Sequence, residues 1–273
     1  MTIALNGPLL LVGAGKMGGA LLQGWLARGL DPKTVFVQDP ALPESIGELV
    51  AAHGLVAGEA PRLPEPPAVI VLAVKPALAT EVLRAIAPSL GDKTVVLSIA
   101  AGRTLESLAE PLPDTCAVVR AMPNTPASVG EGITVCVANA QVSERQRHAC
   151  ETLLSAVGEV VWIDDEALMD AVTAVSGSGP AYVFHLAETL EQAGLEAGLP
   201  PELAARLARA TVAGAGALLK QSEHDATTLR TNVTSPKGTT AAALDVLMED
   251  EALQKLLARA VAAAARRSRE LSS

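Results

Sequence analysis

Short apolar runs separated by helix-length segments constrain this chain more than any other feature. Residues 8–12 (PLLLV), 35–37 (VFV), 69–73 (VIVLA), 94–99 (TVVLSI), 117–120 (AVVR) and 133–137 (ITVCV) follow one another along the first half. They are apolar on both alternating faces, as strands are when helices cover a parallel sheet on both sides. The intervening stretches, such as 18–28 and 77–89, have helical composition. Residues 144–156 read as a further helix and 159–163 as a closing edge strand. The alternation predicts an open, doubly wound α/β sheet.

After about Asp164 no strand-like run remains. Leu253, Leu256, Leu257, Ala260, Val261 and Ala264 recur at helical spacing, and residues 204–219 are small or apolar almost all round. Such faces belong to helices covered on several sides. Two domains are therefore expected: 1–163, built on the sheet, and 164–273, all-helical. A second copy of the chain is the natural cover for those helices.

The first apolar run ends in Gly13-Ala14-Gly15-Lys16-Met17-Gly18, which opens a helical segment. Each glycine has a separate use in a dinucleotide loop. Gly13 permits the tight turn, Gly15 lets a pyrophosphate approach the backbone, and Gly18 lets helix and strand pack closely. The free N–H groups of Lys16, Met17 and their neighbours then hold the phosphate charge. This predicts a Rossmann-type domain. Asp39 stands at the end of the second run, where an acidic side chain accepts hydrogen bonds from the adenosine ribose. It would repel a 2′-phosphate, so NADH is expected to serve at least as well as NADPH. The alternative is that Asp39 only caps a turn before Pro40.

Ligands of open α/β sheets sit at the carboxyl ends of the strands. Ala73-Val74-Lys75-Pro76 and Met122-Pro123-Asn124 follow apolar runs and belong at that edge. They are also compatible with ordinary strand-to-helix turns. In the second half, residues 175–180 (VSGSGP) precede a helical segment, with Ser176 among small residues that allow close approach. Residues 234–240 (TSPKGTT) precede another. A single hydroxyl would suffice to cap that helix. The crowd of Ser235, Thr239, Thr240 and Thr234 around a helix start, with Gly238 between, makes instead a compact carboxylate site.

Composition narrows the partners. The formal net charge is −9, and Lys and Arg form no cluster. Nucleic acid, which demands grouped cations, is not expected. The 3 cysteines, Cys116, Cys136 and Cys150, include no CxxC, so neither a zinc site, any other metal site nor a disulfide framework is expected. The amino terminus lacks the pattern of a signal peptide. The most apolar stretch, 68–74, is far shorter than a membrane span. A cytoplasmic enzyme with a small-molecule substrate is the expectation.

GAGKMGGAL, AVKP, SIAAG, RAMPNTP, AVSGSGPAY and VTSPKGTTAAAL occur in an order and spacing that resemble the pyrroline-5-carboxylate reductase family. They extend from about Gly13 to Leu244. The resemblance implies reduction of 1-pyrroline-5-carboxylate to proline with NADH or NADPH. It implies an N-terminal Rossmann domain and a C-terminal helical dimerisation domain, with dimers that often assemble into decamers. By the same resemblance Gly13, Gly15 and Gly18 hold the cofactor, and residues 73–76 and 122–124 lie near its nicotinamide. Ser235, Gly238, Thr239 and Thr240 would take the substrate carboxylate from the partner subunit, with Thr240 beside the substrate nitrogen. One departure stands out: Lys237 replaces the family's usual glycine, and lysine disfavours positive φ.

A protonated imine is already electrophilic, so alignment of donor and acceptor would supply much of the rate. That agrees with the lack of an acid–base constellation. Of the 4 histidines, only His185 lies near a motif. A hydroxyacid dehydrogenase is disfavoured because residues 181–195 contain no lysine. Reduction of another cyclic imine, or a non-catalytic dinucleotide sensor, are the remaining alternatives.

Overall fold

The computed structural model describes residues 3–272. Residues 3–177 with 265–272 form one compact unit, and 178–264 form a second.

The first unit is an eight-stranded sheet of order β3-β2-β1-β4-β5-β6-β7-β8. Its elements run β1 (Leu9–Val12), α1 (Lys16–Ala27), β2 (Val35–Gln38), α2 (Glu44–His53), β3 (Val56–Gly58), β4 (Val69–Leu72), α3 (Ala79–Ile86), β5 (Val95–Ser98), α4 (Leu105–Ala109), β6 (Ala117–Met122), β7 (Gly132–Ala138), α5 (Glu144–Leu154), β8 (Gly158–Trp162) and α6 (Met169–Val172). Strand order reverses at β1, which pairs in parallel with both β2 and β4. The crevice outside their carboxyl ends is the place where such sheets bind ligands.

Alternation along the strands makes two cores. Leu9, Leu11, Val69, Val71 and Val119 point to one face, and Leu10, Val12, Ile70, Leu72 and Val118 to the other. Strand side chains have period two, so a run apolar at every position fills both layers. Trp25, fully buried under α1, donates its ring N–H to the Leu153 carbonyl at 2.9 Å and ties α1 to α5. The three thiols are buried among these layers. Burial pushes Cys150 up to about 12 and raises Cys136 and Cys116 as well. They stay protonated and serve as packing groups.

Three features depart from the sequence expectation. The strand β3 was not foreseen; it is short, ends in glycine and is half-exposed, so it carries no apolar signal. The strand β7 runs antiparallel to β6. Only residues 123–131, with the 3-10 turn Thr125–Val129, separate the two, and a parallel return would need a longer crossover. The composition changes near Asp164, whereas the compact unit ends at Gly177. Met169 of α6 buries itself against Val135 and Val137 of β7, which keeps residues 165–177 with the sheet.

The second unit holds α7 (Gly179–Glu196), α8 (Pro201–Gln221), α9 (Ala226–Asn232), α10 (Thr239–Met248) and the start of α11 (Ala252–Ser272). Helices α7 and α8 pack as a hairpin, with Gly194 facing Ala204. Asp225 caps α9 through the Thr228 N–H, which holds its carboxyl below the usual range. Among the described residues no helix is long and apolar enough to cross a membrane.

Candidate active site

The glycine loop lies where β1 ends, next to the end of β4. Gly13 has φ +92, a left-handed conformation that favours glycine, and a Cβ there would come within 2.7 Å of the Ala73 carbonyl oxygen. A Cβ on Gly18 would run into the Gly13 carbonyl and approach Ala73. Sequence motif and sheet edge thus depend on each other: Gly13 and Gly18 bring Ala73 and Val74 against the loop. Gly15 differs. No atom lies within 4 Å of its Cβ position, so the space beside it is open. No side chain caps α1 at Gly15. Its first-turn amides, Lys16 to Gly18, have no partner within the helix, the arrangement that takes an anion at a helix start. A dinucleotide pyrophosphate fits these residues.

Asp39 sits at the same edge. Its Oδ2 accepts the Ala14 N–H at 2.7 Å, and its Oδ1 accepts the Ala41 N–H at 2.9 Å. The second bond is the turn cap. The first moors the carboxylate to the glycine loop. Each oxygen keeps a lone pair for a ribose hydroxyl.

Lys75 and Pro76 are exposed after β4, and Pro76 begins a short 3-10 turn. At the end of β6, Pro123 is buried and Met122 half-buried. Asn124 is buried, and its side-chain oxygen accepts the Ile133 N–H at 2.9 Å. That bond fixes the turn after β6 and leaves the amide NH2 for a ligand. Residues Thr173–Gly177 form a π-turn that brings Gly177 against the Met122 methyl group. Ser176 lies in this turn, its Oγ buried and without a hydrogen-bond partner among the described residues. Turns of this kind recur at functional sites.

Ser235, Gly238, Thr239 and Thr240 lie in the second unit. Gly238, not a hydroxyl residue, is the N-cap of α10, and no side chain caps it. Among the described residues the hydroxyls of Ser235, Thr239 and Thr240 make no hydrogen bond, whereas Thr234 donates to the Arg230 carbonyl at 2.6 Å. The capping explanation therefore fails for this loop. Lys237 adopts φ +59, so the left-handed turn persists although glycine is gone. His185 is exposed and pairs with Glu188 at 3.1 Å on the surface of α7. A cleft of about 820 Å3 elsewhere on the sheet, walled by Lys93, Gln146 and His148, contains none of the candidate residues.

One part-buried ion pair was missed from the sequence. Arg120 of β6 donates to Glu166 Oε1 at 2.7 Å. The visible signal was a cation inside an otherwise apolar strand; its partner lies 46 residues on.

Comparison with known proteins agrees with this layout. The family model described as pyrroline-5-carboxylate reductase dimerisation matches residues 166–271. A second, NADP oxidoreductase coenzyme F420-dependent, matches residues 9–102. The pyrroline-5-carboxylate reductase of Pseudomonas aeruginosa is 41% identical over 264 residues, covering 96% of this chain and 95% of that protein. The chain belongs to the pyrroline-5-carboxylate reductase family. The family member of Synechocystis is 45% identical over 203 residues, 74% of each chain. Among solved reductases, that of Coxiella burnetii superposes with a TM-score of 0.91 at 34% identity, covering 98% of this chain and 100% of that one. The Plasmodium falciparum enzyme, solved with NADP bound, gives 0.79 at 30% identity over 98% and 99%. The reductase dimerisation region thus coincides with the part of the chain whose helices expose their apolar residues.

Proposed function

We infer that this chain is an NAD(P)H-dependent oxidoreductase that reduces 1-pyrroline-5-carboxylate to proline. The observation that carries the substrate assignment is the identity with the Pseudomonas reductase along nearly the whole chain. A bound reduced nicotinamide supplies the hydride for the imine carbon, and one proton completes the amine.

The residues of this chain bind and align. Gly13, Ala14, Gly15, Lys16, Met17 and Gly18 hold the pyrophosphate on the amides of α1, and Asp39 takes the ribose hydroxyls. Ala73, Val74, Lys75, Pro76, Met122, Pro123 and Asn124 border the nicotinamide side. Ser235, Gly238 and Thr239 hold the substrate carboxylate at the uncapped start of α10, where amides and hydroxyls converge. Thr240 Oγ1 accepts the iminium N–H and so fixes the ring beside the hydride donor. Ser176 offers its unpaired hydroxyl to the substrate. Alignment of this kind is worth several powers of ten in rate without an acid–base pair.

Residues 1–163 act as the dinucleotide domain and 164–273 as the dimerisation and substrate domain. The homodimer is the minimal active unit, five such dimers form a decamer as the full assembly, and the enzyme works in the cytoplasm. NADH serves at least as well as NADPH. The test is NADH and NADPH oxidation on adding 1-pyrroline-5-carboxylate or a panel of other cyclic imines. Turnover with 1-pyrroline-5-carboxylate, at a kcat/KM well above the panel, is expected. Turnover only with another imine overturns the substrate, and none with any imine overturns the activity.

A further inference from the structure

We propose that Arg120 and Glu166 are positioning residues for hydride transfer. Their ion pair, buried at Arg120 and part-exposed at Glu166, sets the place of the π-turn Thr173–Gly177, and with it the Ser176 hydroxyl, beside Met122. The proposal rests on the reductase reading above.

Glu166 is a junction. Its Oε1 accepts from Arg120 Nη1 at 2.7 Å and from the Leu105 N–H at 2.8 Å. It thereby joins β6, the start of α4 and the turn that leads into α6. Arg120 is 5% exposed, so its charge depends on this partner. The far end of the same segment is held too: Ser268 Oγ donates to Asp170 Oδ1 at 2.6 Å. From Asp170 the helix passes directly into the π-turn. There a Cβ on Gly177 would come within 2.5 Å of the Met122 methyl, so the turn rests on the end of the strand that carries Arg120.

A buried ion pair is a weak source of stability, because desolvation offsets most of the attraction, and apolar replacements are often neutral or stabilising. What the pair does supply is a fixed geometry with directional bonds. The turn it fixes carries a buried hydroxyl with no partner among the described residues. A buried hydroxyl without a bond is unfavourable, and it makes sense if a ligand completes it. Placement of that hydroxyl, and of the pocket wall around it, is then the function of the pair.

The decisive variant is Arg120→Met/Glu166→Leu, which removes both charges and keeps the volume. Thermal midpoint and NADH affinity are expected to stay at wild-type values while kcat falls by about tenfold or more, since displacements of about 1 Å at a reacting centre cost up to about a hundredfold. The primary isotope effect with 4-deuterated NADH should rise as the chemical step becomes limiting. Glu166→Gln, which keeps an oxygen acceptor for both donors, should recover most of the rate lost in Glu166→Ala. Ser176→Ala should lower kcat, and adding it to the double variant should cost little more. Wild-type kcat and isotope effect in the double variant overturn the proposal. So do strictly multiplicative losses with Ser176→Ala. If the double variant does not fold, the single Glu166 variants decide: kcat that tracks the thermal midpoint in both assigns the pair to stability alone and overturns positioning. A wild-type enzyme inactive on 1-pyrroline-5-carboxylate would instead sink the functional reading.

Discussion

The two compact units treat apolar side chains in opposite ways. In the sheet unit, Leu9, Leu11, Val69, Ile70, Val71 and Leu97 are completely buried within the chain itself. Among residues 178–264 only Ala204 and Ala208 are buried, while Phe184, Leu186, Leu218, Val246 and Leu256 remain half or more exposed. A side chain such as leucine gains about 1.5–3 kcal/mol on full burial. The first unit collects that gain alone, and the second needs another copy to collect it. Charging its surface should therefore break the molecule where charging a loop would not. Phe184→Asp with Leu256→Asp is expected to leave a monomer by sedimentation and to lower kcat/KM by a factor of at least about a thousand, because interfaces of this kind depend on a few large apolar anchors. NADH affinity should hold, since the glycine loop belongs to the unit whose core is buried within the chain. A fully active monomer would erase the contrast.

Within the sheet unit the glycines sharpen the same division between fold and ligand. Gly15 borders open space and has φ −66, a conformation open to any residue. Gly15→Val should leave the thermal midpoint unchanged and raise the NADH Kd by about a hundredfold, the effect of losing a few kcal/mol of contact. Gly18→Ala should do the reverse and first lower stability, because its methyl meets the Gly13 carbonyl. In the helical unit, Thr240→Val should lower kcat/KM by about tenfold to a hundredfold with melting and NADH binding intact, the usual result of removing a hydrogen bond to a charged group. Turnover unchanged in that variant would take Thr240 out of the mechanism.

These contrasts also explain what the sequence displayed. The strands β1, β4 and β5 were legible within a residue because local apolar pattern alone makes them. The glycine loop and Asp39 were legible because strand register sets their spacing. β3 was hidden because a half-exposed edge needs no apolar signal. The reversal of β7 was hidden because the short connection after β6 decides it, and the boundary at Gly177 because packing of Met169 on β7 does, not composition. The Arg120–Glu166 pair depends on a contact across 46 positions, which no local window contains.

Cofactor choice is a smaller effect. The Asp39 carboxylate is moored to the glycine loop by the Ala14 N–H. Asp39→Ser should move the ratio of NADPH to NADH kcat/KM upward by about tenfold, through lost repulsion of a 2′-phosphate and lost bonds to ribose. A wild-type enzyme with a large preference for NADPH would remove that role.

Lys237 should give the smallest effect and the sharpest comparison between backbone and charge. A lysine at φ +59 is disfavoured by about 1 kcal/mol. Glycine would relieve that but would lose about 0.5–1 kcal/mol through the greater freedom of its unfolded chain. Lys237→Gly should therefore shift the thermal midpoint very little. Lys237→Ala keeps the unfavourable backbone and removes the same charge, so its midpoint should also stay near the wild-type value. For substrate affinity the two variants should agree. An exposed ammonium beside a carboxylate contributes less than about 1 kcal/mol, so KM for 1-pyrroline-5-carboxylate should rise about two- to threefold in both. The rise should vanish in about 0.5 M salt, where screening removes the attraction. Equal KM for wild type and both variants at low salt would leave Lys237 a tolerated replacement with no part in binding. A rise in Lys237→Gly alone would place the effect in the shape of the turn.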